Sequence, residues 1–133
     1  KDGTLVKVED MPYHIEPDAA ITLPDLPPRI KMPQLSEMEP LGERRIVYSD
    51  IDYNMHMNNT HYPDMICDFL DEMTDETKAY KVKSMSLSYV KESHIGATLT
   101  VIRGAMNENG EIAVKTLNEA GETCLEALVC LAE

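Results

Sequence analysis

Asp50-Ile-Asp-Tyr-Asn-Met-His-Met-Asn-Asn59 runs straight into Thr60-His-Tyr-Pro-Asp-Met-Ile-Cys-Asp-Phe-Leu-Asp-Glu-Met73, and the change of period between the two stretches decides the fold. In the second stretch Tyr62, Met65, Ile66, Phe69, Leu70 and Met73 recur at the spacing of an amphipathic helix. Asp64, Asp68, Asp71 and Glu72 make its other face acidic. Pro63 fits only a first helical turn, which places the start close to Asn58, Asn59 or Thr60, each a capable cap. In the first stretch Asp52, Asn54 and His56 alternate. If that run is extended, all three side chains share one face beside the positive end of the helix dipole. A base, an amide and a carboxylate next to an anion-stabilising helix end resemble a site for attack on a carbonyl. The same residues also fit a polar loop that does no more than cap the helix, and the spacing alone does not choose. A calcium loop is excluded, because the sixth and twelfth positions from Asp50 are Met55 and His61 where Gly and a bidentate Glu are needed.

Outward from this centre, the two flanks differ. Seven of the eight prolines lie before residue 41, and Leu23-Pro-Asp-Leu-Pro-Pro-Arg-Ile-Lys-Met-Pro33 supports neither a helix nor a central strand. Its apolar residues Ile21, Leu23, Leu26, Ile30 and Met32 predict a tail lying on a folded surface. Arg45-Ile-Val-Tyr48 reads as a strand. After the helix come four more strands: Lys81 to Glu92, with Met85, Leu87 and Tyr89 opposite Ser84, Ser86 and Ser88; Thr98 to Ala105; Glu111 to Leu117 after an Asn109-Gly110 hairpin signal; and Thr123 to Ala132, apolar on both faces like an interior strand. One helix and one antiparallel sheet bury their apolar faces only by lying across each other, which is an α+β arrangement.

At 133 residues the chain has the length of one domain with a respectable core. A formal charge of −12 and a pI near 4.6 disfavour nucleic acid and anionic membranes. Arg44 and Arg45, with Lys78, Lys81, Lys83 and Lys91, form local basic clusters that fit either an anionic carrier arm or a charged strand edge. Cys67, Cys124 and Cys130 are odd in number and set in apolar runs, as in a reducing compartment. With no apolar run near membrane length and no signal-peptide pattern, a cytoplasmic location is expected. His61 and His94 read as surface or capping residues, and their irregular spacing from His56 implies no metal. The nine methionines read as adaptable packing, and Ser86 and Ser88 lack a nucleophile elbow.

The succession of strand, Asp-Xaa-Asp-Xaa-Asn-Xaa-His-Xaa-Asn-Asn-Xaa-Xaa-Tyr, helix and meandering strands, with Arg44-Arg45 ahead of it and Glu92 after Tyr89-Val-Lys, resembles the hot-dog thioesterases. It is most similar to the acyl-acyl-carrier-protein thioesterases of bacteria and plant plastids. That resemblance implies a hot-dog fold, with a sheet wrapped around one central helix, over residues 43–133. It implies that residues 1–42 are an interdomain linker following an absent N-terminal hot-dog domain. It also implies an acyl carrier protein bearing a phosphopantetheine-linked acyl chain as partner, no cofactor, and a homodimer or a tandem pairing.

By the same resemblance Asp52, Asn54, His56 and Glu92 are the catalytic residues, and Ser93 stands where the family often has Cys. A carboxylate-and-water mechanism accommodates that serine, whereas a thiol nucleophile does not. Asp52 is then the leading nucleophile or general base, Glu92 and His56 position and deprotonate water in an enclosed apolar site, and backbone N–H groups of Asn58, Asn59 and Thr60 stabilise the oxyanion. An acyl-CoA thioesterase, and a non-catalytic acyl-binding or dimerising hot-dog module, are the alternatives.

Overall fold

The computed structural model describes residues 7, 10, 12, 13, 29–75 and 80–132. The expectations for Ile21, Leu23, Leu26 and Lys78 lie outside these residues. Five strands, β1 (Glu39–Arg45), β2 (Lys81–Tyr89), β3 (Thr98–Arg103), β4 (Glu111–Leu117) and β5 (Thr123–Ala132), form one sheet in the order β1-β3-β4-β5-β2, antiparallel throughout. Helix α1 (His61–Phe69) and the single turn α2 (Asp71–Thr74) connect β1 to β2. Among the described residues no helix is long and apolar enough to cross a membrane.

Alternation along the strands produces the core. Leu99 and Val101 of β3, Ile112 and Val114 of β4, and Leu125, Ala127, Val129 and Leu131 of β5 are buried in one cluster with Tyr62, Met65 and Ile66 of α1 and with Leu70 just after it. Met85 and Leu87 of the edge strand β2 are half-buried against it, while Ser84, Ser86 and Ser88 are exposed. β5 lies between β4 and β2, which explains its apolar character on both faces. Arg103 ends the inner row of β3 and holds α2 down by a bidentate pair to Glu72, at 2.7 and 2.9 Å. On the outer face Ile30 and Met32 are half-buried, and Pro33 and Leu128 line a hollow of about 650 Å³ with them.

Four boundaries differ from the sequence reading, the simplest being β3, which stops at Arg103 and not at Ala105. The first strand covers Glu39–Arg45 and stops where the expected one begins, because its partner β3 starts at Thr98 opposite Arg45 and the ladder ends there. Pro40 is accommodated because β1 is an edge strand with a register shift at that point. The helix breaks at Leu70, whose extended backbone separates α1 from α2. β2 stops at Tyr89, since the N–H groups of Val90 and Lys91 both donate to the one carbonyl of Cys124 and the ladder closes, leaving Glu92 in the following loop.

The turns before and after β4 share one design, Asn107-Glu-Asn-Gly-Glu111 and Asn118-Glu-Ala-Gly-Glu122. In each, the Asn Oδ1 accepts two backbone N–H groups, from residues 109 and 111 or from 120 and 122, and the Gly takes positive φ, 74° and 75°. They differ in surroundings: a Cβ at Gly110 would lie 2.6 Å from the Leu131 carbonyl oxygen, whereas Gly121 faces open space. Gly121→Ala is therefore expected to cost about 1–2 kcal/mol, the left-handed strain alone, and Gly110→Ala measurably more, because β5 must move off the methyl. Urea denaturation of the two variants checks the order; equal losses would contradict it.

Candidate functional site

The loop from Ile46 to Thr60 is built around Asp50, which is only 1% exposed. Its carboxylate accepts a hydrogen bond from Arg44 Nη2 through Oδ1 and one from the Val47 N–H at 2.9 Å through Oδ2, and His61 Nδ1 lies 3.5 Å from Oδ1. Its carbonyl accepts the Asn58 N–H at 2.8 Å. Burial pushes this carboxyl up, but the Val47 N–H, Arg44 and His61 together outweigh burial and hold it below its ordinary value of 3.8. One carboxylate thereby ties β1, the loop and the first turn of α1 together.

From that anchor the chain makes a hairpin. Ile51 and Met57 pair as an antiparallel bridge, the Asp52 N–H donates to the His56 carbonyl at 2.9 Å, and the Met55 N–H donates to the Asp52 carbonyl at 3.0 Å. Asp52 Oδ1 accepts the Asn54 N–H at 2.8 Å, and Met55 takes the left-handed conformation at φ 66°. The expectation of an extended run is therefore corrected. Asp52 caps its own turn, and His56 returns on the opposite arm with Asn54 at the exposed tip.

The second wall comes from the loop after β2. His56 pairs across an antiparallel bridge with His94, and the Met57 N–H donates to the Ser93 carbonyl at 2.8 Å. His56 Nε2 thereby lies 3.5 Å from Glu92 Oε2. Between the walls is a hollow of about 460 Å³, lined by Asp52, Asn54, His56, Asn58 and Asn59 on one side and by Tyr89, Lys91, Glu92 and Ser93 on the other. All four residues read as catalytic border it. It is open and polar rather than enclosed and apolar, for the Glu92 side chain is 71% exposed and most of its lining side chains are polar or charged.

The helix start is more selective than expected. The Asn58 N–H is taken by Asp50, the Thr60 N–H by Asn58 Oδ1 at 3.0 Å, and the His61 N–H by the Asn58 carbonyl at 2.9 Å. Thr60 does not border the hollow. The Asn59 N–H has no protein partner among the described residues, which leaves it alone of the three expected donors to meet an oxyanion. Ser93 is 4% exposed, and its Oγ accepts the Tyr62 hydroxyl at 3.0 Å. Burial pushes the Tyr62 phenol up, despite the opposing hydrogen bond to Ser93, so it stays a donor. The Tyr89 hydroxyl donates to the Asn59 carbonyl at 2.9 Å, and its ring packs edge-on to Tyr62 with centroids 5.6 Å apart.

With this geometry in view, comparison with known proteins gives a clear result. The acyl-ACP thioesterase C-terminal domain model matches residues 35–128. The chain belongs to that family. Among solved structures, an acyl-ACP thioesterase from Bacteroides thetaiotaomicron superposes with a TM-score of 0.68 at 25% identity, over 90% of this chain and 45% of that one. The domain thus spans under half the length of that protein. A Staphylococcus aureus protein solved in complex with CoA matches at TM-score 0.64 and 15% identity, over 71% of this chain and 76% of its own. A 1,4-dihydroxy-2-naphthoyl-CoA thioesterase from Synechocystis matches at 0.56 and 14%, over 65% and 75%. These two share the fold. No curated protein sequence matches the chain. The hot-dog α+β architecture expected from the sequence holds.

The sequence assigns Asp50 only a position in an excluded calcium loop, and it sets Tyr62 on the apolar side of the helix and Tyr89 on one face of a strand without partners for their hydroxyls. No spacing signal marks Asp50, because its partners Arg44, Val47 and His61 share no period. Asp50→Asn is expected to cost about 1–3 kcal/mol at neutral pH. Because the folded carboxyl titrates below its unfolded value, its contribution is full above about pH 4 and is lost as pH falls through the folded value. The stability gap between wild type and variant should therefore close in acid, and denaturation curves showing a gap independent of pH would contradict this.

Proposed function

We propose that this domain carries the catalytic residues of a cytoplasmic thioesterase that hydrolyses acyl-acyl-carrier-protein to free fatty acid, ending fatty acid synthesis. The observation that carries the reading is the His56–Glu92 pair at 3.5 Å, bordering one hollow with Asp52, Asn54 and Asn59, whose N–H has no protein partner among the described residues. A thioester is activated already, so the site has to place water at the carbonyl carbon and stabilise the oxyanion that forms. Asp52 serves as nucleophile or general base from the hairpin side, while Glu92 and His56 position water and take its proton. The Asn59 N–H meets the developing oxyanion, worth about 3 kcal/mol for a well-placed donor. Collapse of the intermediate breaks the C–S bond, and the stored proton passes to the departing thiolate. Asn54 orients substrate or water through its amide. Ser93 is a packing partner of Tyr62 and takes no covalent part, consistent with its burial.

The carrier-linked substrate is favoured over acyl-CoA by the family match, which extends over the loop, the helix and nearly all of the sheet. The Pro-rich start is proposed as a linker joining this domain to a neighbour, with Ile30, Met32 and Pro33 as the part laid on the sheet. Val47, Tyr48, Tyr53, Met55, Val90 and Ile95 are all exposed. Such apolar surface supports a paired state, a homodimer of this chain or a tandem partner domain, and a cover of that kind would exclude water from the hollow.

In the complete protein, Asp52→Asn, His56→Ala and Glu92→Ala should each lower hydrolysis by about 10²–10⁴-fold. Assays on carrier-linked and CoA-linked acyl chains check this, and undiminished rates in Asp52→Asn and Glu92→Ala would end the assignment. Sedimentation of this chain at micromolar concentration should show a dimer; a monomer would contradict the pairing.

A further inference from the structure

His94 has no part in the hydrolytic arrangement, yet the fold places it at one specific point. It faces His56 directly across the antiparallel bridge, a pairing that brings opposed side chains to about 5 Å. The two rings meet edge to face with centroids 4.6 Å apart. Glu92, two residues before His94, turns its carboxylate to the same spot. One ligand-capable atom from each of His56, Glu92 and His94 lies within 4.8 Å of the other two. The His56 Nε2 to Glu92 Oε2 separation of 3.5 Å is close to the edge, about 3.3 Å, of a tetrahedron with metal–ligand bonds near 2.0–2.1 Å. His94 and Glu92 are exposed and His56 half-exposed, so side-chain rotation closes the remaining gap without disturbing the core.

We propose that His56, Glu92 and His94 bind one divalent transition ion of the zinc type, through two imidazole nitrogens and a carboxylate oxygen, with solvent completing the shell. Two nitrogen donors in three select Zn2+ and its late first-row neighbours over Mg2+ and Ca2+, which take oxygen ligands. The ion is a visitor and not a resident cofactor. Among the described residues neither imidazole donates its second ring N–H to an outer carboxylate or carbonyl, which weakens binding by about 10–100-fold relative to sites that have one. The consequence rests on the hydrolytic reading of His56 and Glu92: an ion held there occupies the imidazole lone pair and the carboxylate that would handle water, and inhibits the reaction reversibly.

Calorimetric titration of Zn2+, and separately of Mg2+, into the metal-free chain tests the site. One zinc site, no response to Mg2+, and at least about tenfold weaker zinc binding in both His94→Ala and His56→Ala are expected. Circular dichroism matching the wild type shows that each variant is folded. No zinc binding, or binding that both variants leave unchanged, as at Cys67 or Cys130, overturns the proposal. In the complete protein Zn2+ should suppress hydrolysis and EDTA restore it, while His94→Ala retains the rate without zinc and resists its addition. If zinc binds through these residues and hydrolysis is unaffected, the inhibitory half falls with the catalytic assignment and the metal site stands.

Discussion

The candidate site depends on a buried carboxylate that does no chemistry. Asp50 is shielded from water, and it survives there as an anion because Arg44 neutralises it and the Val47 N–H and His61 share its remaining capacity. The loop joining β1 to α1 would otherwise pay conformational entropy with few contacts to repay it. Through Asp50 its two ends are held to the first strand and the first turn of the helix, and its carbonyl fixes Asn58 as well. Three carboxylates therefore lie in this region with separate duties. Asp50 is committed to structure, Asp52 closes a turn with one oxygen and presents the other, and Glu92 is held by little beyond His56.

The two walls of the hollow come from segments at least thirty residues apart, and backbone pairing brings them together. The His56 to His94 bridge and the Met57 N–H bond to Ser93 bring the hairpin against the loop that leaves β2. That loop is itself fixed by the carbonyl of Cys124, which takes the N–H groups of Val90 and Lys91, and by the ion pair of Lys91 with Glu122 in the last turn. The position of Glu92 is thus inherited from β5 and its preceding turn. The Tyr62–Ser93 and Tyr89–Asn59 hydrogen bonds close the floor. Tyr62 is buried in the core with its hydroxyl on Ser93, whereas Tyr89 is exposed and packs its ring edge-on against Tyr62.

Openness is the feature that separates this hollow from a finished active site. In contact with solvent, charges and dipoles act through a high effective dielectric, and a donor such as the Asn59 N–H gains its full effect only when water is excluded. The exposed side chains of Val47, Tyr48, Tyr53 and Val90 supply apolar surface for a cover. The same openness leaves the His56, Glu92 and His94 side chains free to rotate, which is what a metal ion arriving from solution requires.

How much could be read in advance follows from the range of the forces involved. The helix, the alternating strands and the Asn109-Gly110 turn are set by residues within a few positions of one another, and the sequence alone determined them, together with the α+β class that their order requires; among Asn58, Asn59 and Thr60 it did not choose the cap. The hairpin form of residues 51–57 was missed because the Asp52 side chain and the left-handed Met55 compete with extended backbone on nearly equal terms, and a bridge to Met57 tips the balance. The strand end at Arg45 was set by where β3 begins, and the end at Tyr89 by the Cys124 carbonyl that takes both following N–H groups. The duty of Asp50 and the meeting of His56 with both Glu92 and His94 were decided by tertiary structure, since each depends on groups that the fold brings together and that no local periodicity links.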